Sequence, residues 1–249
     1  MFFIYNSYII HLYNNTVINR SYLWQEFNIK TFPAETLVFR DGLFYDDLSN
    51  YKSVQFDKEK NLIFINKTPV LPIHIIYIGE IAGNIDLNID ICAENTNIIM
   101  DFKTVNKLPA FLNIFIKNTG KNSVFNGQII DKNYDSLKIN VIGQHLSANT
   151  GIFVKTRVAA YKNTITDLYG SAKIEKNAEN SDSDISFSVM ADKTAKIILK
   201  PTQYINSIPK NASHSASLYK PNENQINYLR ESGLGTIEIN QVMEEAFFN

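Results

Sequence analysis

The sequence predicts a mainly β protein with a short helical segment at its C-terminus, on three observations. From about Leu37 to Ile205, apolar residues recur with a period of two. These runs return every dozen residues or so, separated by Asn, Asp, Lys and Gly. No segment in that range has the spacing of a long amphipathic helix, whereas the last forty or so residues do. A β-sandwich, a barrel and a parallel β-helix all satisfy this pattern.

The alternation is explicit. "NIDLNIDIC" puts Ile85, Leu87, Ile89 and Ile91 on one face and Asp86, Asn88 and Asp90 on the other. "FLNIFIK" repeats this with Leu112, Ile114 and Ile116, and "SLKINVIG" with Leu137, Ile139 and Val141. "IHIIYIG" and "NLIFIN" are shorter runs of the same kind. Two details lean toward the β-helix. Asn, which tolerates left-handed backbone, is spread through the turns. Hairpin signals are rare, with Asn126-Gly127 the one Asn-Gly pair.

The tail reads as two helices. Asn222 can cap the first, Gln225 completes a capping-box pattern, Ile226 and Leu229 share a face, and Gly233 fits just past the end. Thr236 starts the second, with Ile239, Val242, Met243, Ala246 and Phe247 on one stripe.

Composition narrows the function classes. In 249 residues the charges balance to -1, which argues against a dedicated nucleic-acid or anionic-membrane surface. Hydrophobic residues make up 45% of the chain, enough for a real core. With Cys92 as the single cysteine no intrachain disulfide can form, and a reducing, cytoplasmic setting is expected. The apolar opening "MFFIYNSYIIHLYNN" lacks a basic start and a cleavage site and is too short to span a bilayer.

Little enzyme chemistry is legible. "TGKNS" at 119–123 lacks the glycine and the Ser/Thr that a phosphate loop needs. Asp41, Asp46 and Asp47 in "RDGLFYDD" could serve as acid and base in a β-helical carbohydrate-active enzyme, but read first as a polar turn. Cys92 ends an alternating strand and is expected to be a buried structural thiol. His74 lies opposite Ile73, Ile75 and Tyr77 and faces solvent or a partner; His11 and His145 have no informative neighbours. Trp24 reads as a packing residue.

"ASHSASLYKPNENQINYLRESG", residues 212–233, resembles the C-terminal signature of the SufB/SufD family of iron–sulfur cluster assembly scaffolds. The agreement is carried by Ser213, His214, Ala216, Glu223, Gln225, Tyr228, Leu229, Arg230 and Gly233. The passage from Gly170 to Ile205 and "ETLVFRDGLFYDDLS" near the start are similar to other family passages and lean toward SufD. Ala212 stands where many SufD sequences carry cysteine, Ser215 where they carry glycine and Ser232 where they carry arginine, and the family's long helical N-terminal region is missing or shrunken.

The resemblance implies a right-handed parallel β-helix, which breaks the tie among the three β architectures. It implies a short N-terminal segment at 1–35, a β-helix core at 36–206 and a C-terminal helical segment at 207–249 that docks an ATPase. It further implies a non-enzymatic SufD-like subunit that pairs with a SufB-like scaffold, or with a second copy of itself, and docks a SufC-like ABC-type ATPase. His214 is then the residue that helps hold iron or a nascent Fe–S cluster at the partner interface. Leu229, Arg230, Val242, Met243 and Phe247 form or support the docking surface. Four thiolates are usual for a cluster and the chain has one, so any cluster is transient and shared.

Overall fold

In a computed structural model of the protein, side chains are described for residues 35–41, 43–44, 49 and 51–248. Of residues 1–34, the backbone of three strands is described: β1 (Phe2–Tyr5), β2 (Tyr8–Tyr13) and β3 (Thr16–Asn19), paired antiparallel. The chain continues through β4 (Glu35–Arg40), β5 (Leu43–Phe44), β6 (Val54–Asp57) and β7 (Leu62–Ile65). Two long strands follow, β8 (Ile73–Ile91) and β9 (Asn97–Asn118). Then come β10 (Val124–Asn133), β11 (Ser136–His145), β12 (Gly151–Ala160), β13 (Ile165–Ile174), β14 (Asp182–Ala191), β15 (Lys196–Ile205) and β16 (Asn211–Tyr219). Helices α1 (Glu223–Glu231) and α2 (Thr236–Phe248) end the chain.

The pairing makes a β-solenoid of about six turns. Alternate strands stack in parallel: β9, β10, β12, β14 and β16 form one row, and the second half of β9 with β11, β13 and β15 forms the other. Neighbouring coils are offset by 27 residues early and 31 later. Residues in register form columns along the stack. One interior column runs Tyr77, Phe102, Ile129, Thr156, Phe187, Ala216, and another runs Ile75, Met100, Gly127, Val154, Ile185, His214.

The two rows face each other across one continuous core. Leu112, Ile114 and Ile116, Leu137, Ile139 and Val141, and Leu87, Ile89 and Ile91 are all buried, as their alternation predicts. Each such side chain contributes about 1.5–3 kcal/mol. Parallel pairing leaves few places for a tight hairpin, and the Asn126-Gly127 pair marks none. It lies inside β10, where a Cβ on Gly127 would meet Phe125 Cε1 at 2.9 Å and Met100 Cε at 3.3 Å. Core space, not turn chemistry, demands that glycine.

Asparagine carries the corners. Asn95, Asn122, Asn149 and Asn180 have positive φ between 52° and 59° and stack at one corner. Asn122 Nδ2 donates to Asn95 Oδ1 (3.3 Å), and Asn180 Nδ2 to Asn149 Oδ1 (2.7 Å). Each is followed by a buried hydroxyl residue: Thr96, Ser123, Thr150 or Ser181. These hydroxyls satisfy the inward polar groups of the bend, as when Ser123 Oγ donates to Ala93 O at 2.9 Å.

The solenoid extends beyond residue 206. β16 pairs in parallel with β14 from Asn211 to Tyr219, so the last strand carries the motif expected in the helical segment, and helix begins at Glu223. β1 lies against β8, whose outward residues Ile76 and Ile78 are buried. No helix among the described residues is long and apolar enough to cross a membrane.

Candidate functional site

Among the described strands, β15 and β16 end the two rows, each pairing on one side. Their inward residues have no further coil over them. Ile205 is 46% exposed and Leu218 48%, although both continue core columns, through Ile174 and Val189. Ile197 and Leu199 are half-buried against the core's end. An uncovered core end beside unpaired backbone edges is the feature that solenoids and sheets ordinarily cap or pair.

His214 sits at this end. Its register partner is Ile185, so it takes the next place in the column of Met100, Gly127, Val154 and Ile185. Being on the last strand, it is exposed. Ala212 and Ala216 flank it on the same face, in register with Ser183 and Phe187. Ser213 and Ser217 point the other way and bond to the β14 edge, at Ser183 O (3.5 Å) and Ser188 Oγ (2.9 Å). The flanking residues are small, and His214 is exposed between them. Among the described residues, no three His, Cys, Asp or Glu side chains converge as a metal site.

Cys92 is exposed, not buried. β8 ends at Ile91, and it is Ile91 that closes the inward series. Cys92 begins the turn and its N–H donates to Ile65 O at 2.9 Å. Along the register Ile91, Asn118, His145, Ile174, Ile205 it lies four spacings of about 4.8 Å from the coil that leads into β16 and His214, on the order of 19 Å. The two residues of one chain do not share a site.

Asp41 is structural. It has φ of 49°, its Oδ1 accepts from Glu80 N–H (2.8 Å) and its Oδ2 from Arg40 Nε (3.1 Å). Asp46, Asp47 and Trp24 lie outside the described residues. His74 is half-buried on the outer face, and burial lowers its pKa. His145, which has no local signal, is wholly interior. Its Nδ1 is 2.8 Å from Thr150 Oγ1 at the asparagine corner, and burial pushes its pKa down to about 4.

The tail follows the capping chemistry. Asn222 Oδ1 accepts from Gln225 N–H (2.8 Å) and Gln225 Oε1 from Asn222 N–H (3.3 Å), a full capping box. Gly233 has φ of +91° just past α1. α1 buries no residue; Leu229 is half-buried, and Arg230 is exposed with Nη1 bonded to Asn227 Oδ1.

α2 folds back across the solenoid, and its inward stripe differs from the apolar one expected. Ile239 is buried and Met243 and Phe247 are half-buried, but Val242 is 40% exposed and Ala246 is exposed. Glu244 takes a buried place instead. Its carboxylate pairs with Lys132 Nζ and accepts from Tyr161 OH, which offsets the cost of removing it from water. The Tyr161 ring stacks on Tyr134 at 4.2 Å, and burial together with the Glu244 bond raises its hydroxyl pKa. Arg157 Nη1 donates to Phe248 O.

Lys132, Arg157, Tyr161 and Glu244 carry no sequence motif, since they are up to 112 residues apart. A glutamate pair inside "VMEEAFF" was their one local sign. No protein-family model matches the chain, and no curated protein matches it.

Proposed function

We propose that this chain is a non-enzymatic scaffold subunit that pairs through the open end of its solenoid with a second, SufB-like solenoid in an iron–sulfur cluster assembly complex. The observation that carries this reading is the position of His214, in a core column but on the last, uncovered strand. A partner that covers Ile205 and Leu218 buries apolar surface and brings its own side chains to the imidazole. Neutral imidazole suits iron, and small neighbours let a partner backbone approach. The resemblance of residues 212–233 to the SufB/SufD signature supports the same reading.

Iron or cluster is cargo here, held with ligands that the partner supplies. A SufC-like ATPase docks on the helical tail in this reading, and its energy comes from the partner. Of the residues expected to dock it, Leu229, Arg230 and Val242 remain at least partly accessible, while Met243 and Phe247 support the tail from beneath.

Affinity purification of the chain from its native cells tests the class. Co-elution of a SufB-like scaffold and a SufC-like ATPase is the expected result, and a lone chain counts against it. His214→Ala is then expected to leave the complex assembled but lower its Fe–S content on reconstitution, with Cys92→Ser near wild type. The reverse outcome assigns the ligand to Cys92.

A further inference from the structure

The contact between α2 and the solenoid has an unusual composition. Lys132, Ala159, Met190 and Tyr219 stand in register on β10, β12, β14 and β16 and face outward. α2 spans this row, with Glu244 on Lys132 at one end and the Phe247 ring 6.5 Å from that of Tyr219 at the other. Ala159 and Met190, between them, are buried. The fastening of the helix combines apolar burial at Ile239 with polar contacts: Lys132 and Tyr161 on Glu244, and Arg157 on the Phe248 carbonyl.

The charges are segregated. Residues 221–249 contain five glutamates and one arginine and no other charged side chain, for a net charge of -4. The surface beneath supplies Lys132 and Arg157, with the Tyr161 hydroxyl as a further donor. An apolar residue at 244 would hold a permanent helix without the cost of burying a carboxylate. A carboxylate instead suits a surface whose own chemistry is to receive an anion. α1 buries nothing, and Gly233 and Gly235 lie between the helices, so α2 is joined through an element with little packing of its own.

We propose that α2 is a strap over a docking surface for an acidic, aromatic-bearing helix of a partner protein, with Glu244 and Phe247 standing in for the partner's carboxylate and ring. Charge complementarity selects the occupant. Lys132, Arg157 and Tyr161 converge on anionic or carbonyl oxygen, and the Met190–Tyr219 stretch receives an apolar ring. The proposal does not rest on the scaffold reading.

The probe is a fluorescein-labelled peptide of residues 236–249, with a scrambled peptide as control, titrated against the full chain. Glu244→Lys reverses the fastening charge, and hydrogen exchange reports whether α2 is released. The expected result is faster exchange in α2 and peptide binding at least tenfold tighter than to wild type, with no gain for the scrambled peptide. The milder Glu244→Gln shifts both readouts in the same direction. Lys132→Glu alone, which sets two carboxylates against each other and also releases α2, gives no binding of the wild-type peptide and binds a peptide carrying Glu244→Lys. Unchanged exchange in both Glu244 variants overturns the strap. Released α2 without a gain in peptide binding, or equal binding of the scrambled peptide, overturns the docking surface.

Discussion

Thr104 donates its hydroxyl proton to Asp131 across adjacent coils, at 2.6 Å, inside the closed core of the solenoid. Asp131 is wholly buried, and its second carboxyl oxygen has no partner among the described residues. One hydrogen bond does not offset the loss of water around a carboxylate. Burial therefore pushes the Asp131 pKa up to about 7, against an ordinary value of 3.8.

That shift makes a pH prediction. The folded pKa is above the unfolded one, so the fold is favoured below about pH 4, and this contribution is lost as pH rises toward 7. At 1.36 kcal/mol per pKa unit the loss approaches about 4 kcal/mol. Asp131→Asn is expected to remove this slope. Thermal melts of both proteins from pH 4 to 8 check it, and parallel curves would rule Asp131 out as the source.

His145 predicts the opposite slope. Its folded pKa, near 4, lies below the ordinary 6.5, so its contribution is complete above pH 6.5 and lost as pH falls toward 4. The two groups oppose each other over the same window, and wild type is expected to show a muted pH dependence from them. His145→Gln should leave stability that falls more steeply with rising pH than in wild type. Denaturant midpoints at pH 4.5 and 6.5 are sufficient to show the steeper fall.

Gly120 is expected to tolerate no side chain. A Cβ there would lie 2.0 Å from the backbone oxygen of Ala93, and no rotamer change can relieve a clash with main chain. Gly120→Ala should cost at least the roughly 1–3 kcal/mol typical of overpacking. Gly127→Ala meets ends of side chains that can shift, and should cost less. Urea denaturation of the two variants ranks them.

The asparagine corner gives a paired test. Asn149 has φ of 58° and accepts from Asn180 Nδ2. Asn149→Ala puts an alanine in left-handed backbone and is expected to cost about 1–2 kcal/mol. Asn149→Gly keeps the backbone at ease and loses the side-chain bond alone, so it should fall between wild type and alanine. Equal losses in the two variants would mean that the side-chain ladder, not the backbone, matters at this corner.

Much of the solenoid was legible from local pattern. Alternation alone placed Leu112, Leu137 and their neighbours in the core, because a strand with one buried face must repeat every two residues. Asn222 and Gln225 marked the start of α1, since capping is settled within four residues. A stronger sign went unread: "ENT", "KNS", "ANT" and "ENS" recur at the corners holding Asn95, Asn122, Asn149 and Asn180. An asparagine that bends the chain and a hydroxyl that closes the bend, returning every 27 to 31 residues, count the coils.

What the sequence by itself determined was therefore strand, turn and cap, each settled by residues within a few positions of one another. The tertiary structure alone decided which of these face one another. Parallel stacking set His214 over Ile185, carried the last strand to Tyr219 and left Cys92 outside. It also buried Glu244, which a helical wheel puts beside an apolar stripe, because Lys132 and Tyr161 arrive from 112 and 83 residues away to receive it. Local periodicity reports which side of an element is apolar; what that side meets depends on contacts between residues far apart in the chain.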